Sequence, residues 1–110
     1  GGVFGLGSTS ENLQGGIDGE MYEVTQMYPA YIAVAEMQGE KAAIQAMKYA
    51  VQAEQVHADL YTKAKELVDA GKDLEAEHIY MCPVCGFISL TGEEDRCPLC
   101  NAKKEIFKVY

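Results

Sequence analysis

Four cysteines in two matched pairs constrain this chain more than any other feature. Cys82-Pro83-Val84-Cys85 and Cys97-Pro98-Leu99-Cys100 are C-x-x-C turns with eleven residues between them. Each turn sets two sulfurs on one side, and two such turns facing each other make a tetrahedral cage of four thiolates. Two disulfides are the rival arrangement, but nothing in the chain points to secretion, and cytosolic thiols stay reduced. A redox dithiol is disfavoured as well, because two matched pairs in one short module read as a metal site. Tetrahedral sulfur suits both zinc and iron. Zinc would make the module structural; iron would make it a one-electron carrier.

The remaining composition narrows the partners. The chain has 110 residues, with 17 acidic and 9 basic side chains and a formal net charge of -8. That sign argues against nucleic acid and against an anionic membrane surface. No apolar run approaches the roughly 20 residues needed to cross a bilayer, and no signal peptide is expected from the glycine-rich start.

Upstream of the cysteines the pattern is helical. Gly1 to Gly7 reads as linker, and Ser8-Thr9-Ser10-Glu11 fits a capping box that opens a helix. A stripe then runs through Leu13, Ile17, Glu20, Val24, Met27, Tyr31 and Val34 in alternating steps of four and three. Pro29 falls inside it and is expected to kink the helix without ending it. Gly39 reads as the stop. A second stripe follows at Met47, Ala50, Glu54, His57, Tyr61, Ala64 and Val68, ending near Gly71. The short connection predicts an antiparallel hairpin over residues 1–72. A charged linker leads to a metal-bound β module over residues 79–110. Phe87-Ile88 and Ile106 to Tyr110 suit small strands there, with turns at Cys85-Gly86 and Thr91-Gly92. The fold class expected is α+β.

Polar residues interrupt both helical stripes at one height. Glu20 lies 19 residues before Gly39 and Glu23 lies 16 before it; Glu54 lies 15 after and His57 18 after. At ~1.5 Å per residue, all four fall within about one helical turn of each other along the hairpin. A carboxylate in a helix seam is costly unless paired or bound to metal. Single residues of this kind usually border the solvated face, but a solvated set has no reason to interrupt two apolar seams together. Facing carboxylates plus Glu54-x-x-His57 are the ingredients of a carboxylate-bridged di-iron site.

These motifs occur in a familiar order. Thr9-Ser10-Glu11-Asn12-Leu13, Gly19-Glu20-Met21-Tyr22-Glu23, Met27-Tyr28-Pro29, Glu54-x-x-His57 and the cysteine module together resemble the rubrerythrins. The resemblance covers nearly the whole chain. It implies the second half of a ferritin-like four-helix bundle followed by a rubredoxin-like Fe(Cys)4 domain. It further implies a cytoplasmic peroxidase of oxidative-stress defence that reduces hydrogen peroxide to water at a di-iron site. In it, electrons come from the Fe(Cys)4 centre and, before that, from a redox donor. Carried over by position, Glu20 is a terminal iron ligand, Glu23 a movable carboxylate, Glu54 a bridge between irons and His57 a ligand to one of them. Tyr28 resembles a tyrosine that hydrogen-bonds near the site, with plain core packing as the equal alternative. Asn101 departs from the pattern, which usually has Gly after the second cysteine pair as Gly86 follows the first.

The larger departure is the family's first helix pair, with its own Glu and E-x-x-H, which this sequence does not contain. Two helices with open apolar seams need a partner. A complementary amino-terminal half-bundle is expected, because Gly1 is not a natural start. A second copy of the hairpin is the alternative, since the family's bundle is pseudo-twofold. From His57 to Gly71 is fourteen residues, or ~21 Å of helix, and a linker follows. The chain's own cysteine module is therefore expected far from its own helical site, as in the family's head-to-tail oligomers. Two rival functions stand beside the peroxidase: an electron carrier whose helical site never assembles, and a zinc-ribbon protein without redox chemistry.

Overall fold

The computed structural model describes residues 5–110. The expected linker at Gly1 to Gly7 thus falls partly outside the described residues. Ser8 caps the first helix, α1 (Thr9–Tyr22), with both halves of the capping box formed: its hydroxyl accepts from the Glu11 N–H, and the Glu11 carboxylate accepts from the Ser8 N–H. Two orphan donors of the first turn are satisfied in this way.

The helix continues through a π-helical turn at Glu23–Met27 into α2 (Tyr28–Gln38). Pro29 is the physical reason for a change of winding. It has no N–H to donate, and its ring crowds the carbonyl four residues back. A wider turn, closed by the Tyr28 N–H on the Glu23 carbonyl, absorbs one extra residue at this point. The expected kink is therefore a π turn, and it has a consequence for register. Leu13, Ile17, Glu20, Val24 and Met27 are half-buried, as the stripe requires, but Tyr31 and Val34 are about half exposed, at 52% and 51%. Their neighbours Ile32 and Ala35 face inward instead, Ala35 fully buried. The inward face has moved by one residue, the amount a single π turn inserts.

Gly39 ends α2 in the left-handed conformation (φ 70°), which glycine adopts without a Cβ penalty. The chain then reverses into α3 (Lys41–Asp69), 29 residues long and antiparallel to α1 and α2. Small residues allow the close approach: a Cβ on Gly16 would lie 3.2 Å from the Tyr61 ring. At the open end, Ser10 donates to Asp69 at 2.5 Å, and Lys65 pairs with the same carboxylate at 2.9 Å.

Gly71 (φ 73°) closes α3 with Lys72 N–H on the Leu67 carbonyl and Gly71 N–H on that of Val68. After an irregular stretch come β1 (Tyr80–Met81), β2 (Ile88–Ser89) and β3 (Lys108–Val109), an antiparallel sheet in the order β2-β1-β3. Ile79 and Tyr110 add a reciprocal pair of backbone bonds at its edge. Lys104–Ile106 is a 3₁₀ turn, so the last strand is shorter than the Ile106 to Tyr110 run suggests.

The linker does not carry the module away. It folds back along α3, and Val56 packs against the small core of Cys82, Phe87 and Cys97. The expectation of a long separation treated the linker as a continuation of the helix axis. The roughly eleven residues between Gly71 and Cys82 reach up to ~36 Å when extended, enough to retrace the ~21 Å of helix.

Candidate metal centres

The first knuckle is held by the Gly86 N–H on the Cys82 carbonyl and the Cys82 N–H on the Phe87 carbonyl. The second repeats it, with the Asn101 N–H on the Cys97 carbonyl and the Cys97 N–H on the Ala102 carbonyl. Both turns need a residue with positive φ after the second cysteine. Gly86 supplies 86° and Asn101 supplies 66°. The difference between the two positions follows from their surroundings. Gly86 lies against α3, where a Cβ would already touch Ala53 at 3.8 Å and His57 at 3.9 Å. Asn101 is exposed, tolerates the left-handed backbone, and its carbonyl accepts from Arg96 Nη1 at 2.9 Å.

All four cysteines are free thiols, and their sulfurs converge. Cys82 and Cys100 Sγ are 3.6 Å apart, and Cys85 and Cys97 Sγ are 3.5 Å apart. A tetrahedron with metal–sulfur bonds of about 2.3 Å has edges of about 3.8 Å, so the cage fits an ion. The chemistry of the sulfurs fits as well. Burial pushes the Cys85 thiol far up and raises that of Cys100. Burial also opposes ionisation of Cys82, but hydrogen bonds from the N–H groups of Cys85 and Val84 and from the Cys100 and Cys85 thiols together outweigh it and hold that thiol below its ordinary value. Ionisation is thus eased at one sulfur and opposed at two beside it. A bound cation removes that conflict by deprotonating all of them.

The second cluster lies on the helices. Glu20 comes from α1, and Glu54 and His57 from one face of α3. Their ligating atoms fall within 4.8 Å of one another. His57 Nδ1 is 3.3 Å from Glu20 Oε1 and 3.8 Å from Glu54 Oε2. All three are largely shielded, with side-chain exposures of 25%, 14% and 18% for His57, Glu20 and Glu54. The other carboxylate oxygen of Glu20 is buried and has no hydrogen-bond partner. An orphaned carboxylate oxygen is costly in such a place unless a cation faces it. Two carboxylates and an imidazole suit iron, manganese or zinc.

Glu23 is not a member of this group. It stands half-buried at the start of the π turn. Tyr28 sets its ring edge-on to Tyr31, with centroids 6.2 Å apart; among the described residues no hydrogen bond joins its hydroxyl to the trio. His78 lies in the exposed linker, edge-on to Tyr80.

One participant was invisible in the sequence. His57 Nε2 donates to the Gly86 carbonyl at 2.7 Å. The residue after Cys85 therefore touches the imidazole whose other nitrogen faces Glu20 and Glu54. Gly86 was legible only as a turn residue. The small residues Ala53 and Ala58, both buried on α3 beside the polar pair, were the available signal that something packs closely there.

A sequence profile of the rubrerythrins matches residues 5–65, more than half of the chain. The chain belongs to the rubrerythrin family. It is 42% identical to Rubrerythrin-2 of Clostridium acetobutylicum over its full length, covering 60% of that protein. It is 37% identical over 99 residues to Nigerythrin of Nitratidesulfovibrio vulgaris, covering 48% of it. Solved nigerythrin structures superpose closely: the partially reduced state gives a TM-score of 0.87 at 35% identity, over 98% of this chain and 52% of that one. The chain thus spans about half the length of the relatives it matches. Rubrerythrins carry a di-iron site and an Fe(Cys)4 site, and the four-cysteine cluster and the Glu/His group are this chain's counterparts to them. Among the described residues no helix is long and apolar enough to cross a membrane.

Proposed function

We propose that this chain supplies one half of a di-iron site, together with its Fe(Cys)4 electron relay, to a rubrerythrin-type peroxidase of oxidative-stress defence. The observation that carries this reading is the contact between the two clusters. From Cys85 the route to the helical site is one peptide unit and one hydrogen bond of 2.7 Å, to a side chain whose far nitrogen faces two carboxylates. Neither a zinc ribbon nor a free-standing carrier needs that contact.

Reduction of hydrogen peroxide to two waters takes two electrons and two protons. A single Fe(Cys)4 centre passes one electron at a time, so a second store is required. Bound iron would supply that store and the affinity for oxygen. The chain's own residues do the rest. Glu20, Glu54 and His57 hold the ion, and the hydrogen bond to Gly86 fixes the imidazole. Glu23, one turn beyond Glu20 and beside the π turn, is the further carboxylate that would engage iron as its charge changes. Hydrogen peroxide is the proposed substrate, and a redox protein the proposed donor.

Three side chains do not complete a site that takes about six. A complementary half-bundle, or a second copy, is therefore part of the proposal. Tyr22, Tyr31, Val34, Met37 and Tyr61 expose large apolar side chains along the helices, as expected of a surface that another helix pair covers.

Metal content of protein purified without oxygen, measured alongside peroxide consumption with a chemical reductant, tests this reading. About three irons per chain with a complementary half-bundle, or about two with a second copy sharing one di-iron centre, on the ligand count of such sites, and activity abolished by Glu54→Gln are expected. One iron per chain and no peroxide turnover would leave an electron carrier; zinc alone would leave a structural ribbon.

A further inference from the structure

The hydrogen bond between His57 and Gly86 does more than shorten a path. A carbonyl oxygen only accepts, so His57 Nε2 must carry a hydrogen. In the neutral ring Nδ1 is then bare, and Nδ1 is the nitrogen that faces Glu20 Oε1 and Glu54 Oε2. The docked knuckle thus selects the tautomer and the ring orientation in which His57 can serve as a ligand. Outer partners of this kind raise ligand basicity and change metal affinity by about 10- to 100-fold.

The direction of that carbonyl is itself set by the cysteine cluster. Gly86 follows Cys85 directly, and its N–H closes the first knuckle on the Cys82 carbonyl at 2.9 Å. The knuckle keeps its shape when four sulfurs are tied to one ion. It is also seated firmly on α3: Val56 packs against the Cys82, Phe87 and Cys97 core, and Ala53, 2% exposed, lies beneath Gly86.

We propose that Gly86 is a positioning residue for the helical metal site, and that the two clusters load metal cooperatively through the Gly86–His57 hydrogen bond. An ion among the four cysteines fixes the knuckle, the knuckle fixes His57, and the helical trio gains affinity. Linkage makes the effect reciprocal: an ion held by Glu20, Glu54 and His57 strengthens the cysteine site by the same factor. The proposal rests on reading both clusters as metal sites.

The test uses the assembled protein, this chain together with the helices that complete its bundle, with zinc in the cysteine site, where it is redox-silent, and manganese(II) as the probe of the helical site. Manganese suits carboxylate ligands and competes poorly for thiolates. Free manganese is followed by electron paramagnetic resonance during titration of three samples: zinc-loaded wild type, zinc-free wild type, and zinc-loaded Ala53→Leu. The last adds bulk beneath Gly86 and lifts the knuckle while keeping every ligand. Zinc-loaded wild type should bind manganese about 10- to 100-fold more tightly than the other two. Nitrogen-15 spectra should show the Nε2–H tautomer of His57 fixed only in that sample. Saturating manganese should slow zinc release to a chelator by a similar factor, a readout that holds even if Ala53→Leu misfolds. Equal manganese affinities with unchanged zinc release would overturn the coupling and leave the two metal sites standing. No manganese uptake in any sample would overturn the helical metal site itself.

Discussion

Replacing Gly92 by alanine should loosen the cysteine module by an amount with two separable parts. Gly92 lies in the loop between β2 and the second knuckle at φ 67°, a conformation that costs an alanine about 1–2 kcal/mol. A Cβ there would also stand 2.6 to 2.8 Å from three atoms at the outer end of the Tyr80 ring. Ordinary contact begins near ~3.4 Å, so the ring must move by roughly 0.8 Å. Tyr80 is anchored in β1 by pairing with Ser89 and Val109, and crowding of this kind costs about 1–3 kcal/mol. Together the destabilisation should be about 2–5 kcal/mol. Denaturant unfolding of zinc-loaded protein at fixed free zinc measures it, since bound metal contributes to stability. Repeating Gly92→Ala in a Tyr80→Leu background removes the ring end and should leave only the backbone part, a coupling of about 1–3 kcal/mol. Additivity within about 0.5 kcal/mol would refute the steric half of this reasoning.

Ser89, buried at 5% exposure, accepts from the Thr91 and Gly92 N–H groups and donates to Glu94, whose other oxygen has no partner. Ser89→Ala should cost about 1–3 kcal/mol by leaving those groups unsatisfied, read in the same unfolding assay. Zinc binding to the metal-free chain at neutral pH should release at least the protons of Cys85 and Cys100, whose thiols burial pushes up. Calorimetry in buffers of different ionisation enthalpy counts them, and affinity should fall as pH falls. Asp69 is held below its ordinary value of 3.8 by hydrogen bonds from Lys65 and Ser10. Its contribution to closing the hairpin should be complete above that value and be lost as pH drops through its lowered folded-state pKa. Carbon-13 spectra of its carboxyl group against pH follow this titration.

The parts of the molecule that could be read from the sequence are those fixed by local spacing. Two C-x-x-C turns place four sulfurs whatever surrounds them. Similar distances from Gly39 bring Glu20 level with Glu54 and His57, because two antiparallel helices share one rise per residue. The capping box at Ser8 and the left-handed stop at Gly39 are local as well. What could not be read depends on tertiary choice. The π turn arises where Pro29 meets a helix that continues on both sides, and its one-residue shift moves the inward face from Tyr31 and Val34 to Ile32 and Ala35. A periodicity argument assumes 3.6 residues per turn throughout and cannot register that slip. The return of the module onto α3 is longer-ranged still. Linker length allows the module to sit near or far, and only the packing of Val56, Ala53 and Gly86 decides. The separation expected within one chain was wrong for that reason, and with it goes the geometric need for a neighbour's module.

The central claim is that the cysteine centre delivers electrons to the helical iron site. Stopped-flow spectroscopy tests it most directly. Fully reduced, iron-loaded assembly is mixed without oxygen with a stoichiometric amount of hydrogen peroxide, and the visible absorbance of the oxidised Fe(Cys)4 centre is followed through a single turnover. Rapid reoxidation in the wild type is predicted, with the fast phase lost in Glu54→Gln while the iron of the cysteine site stays in place. An unchanged fast phase in Glu54→Gln would show that peroxide oxidises the cysteine centre without the helical site, and would contradict the account.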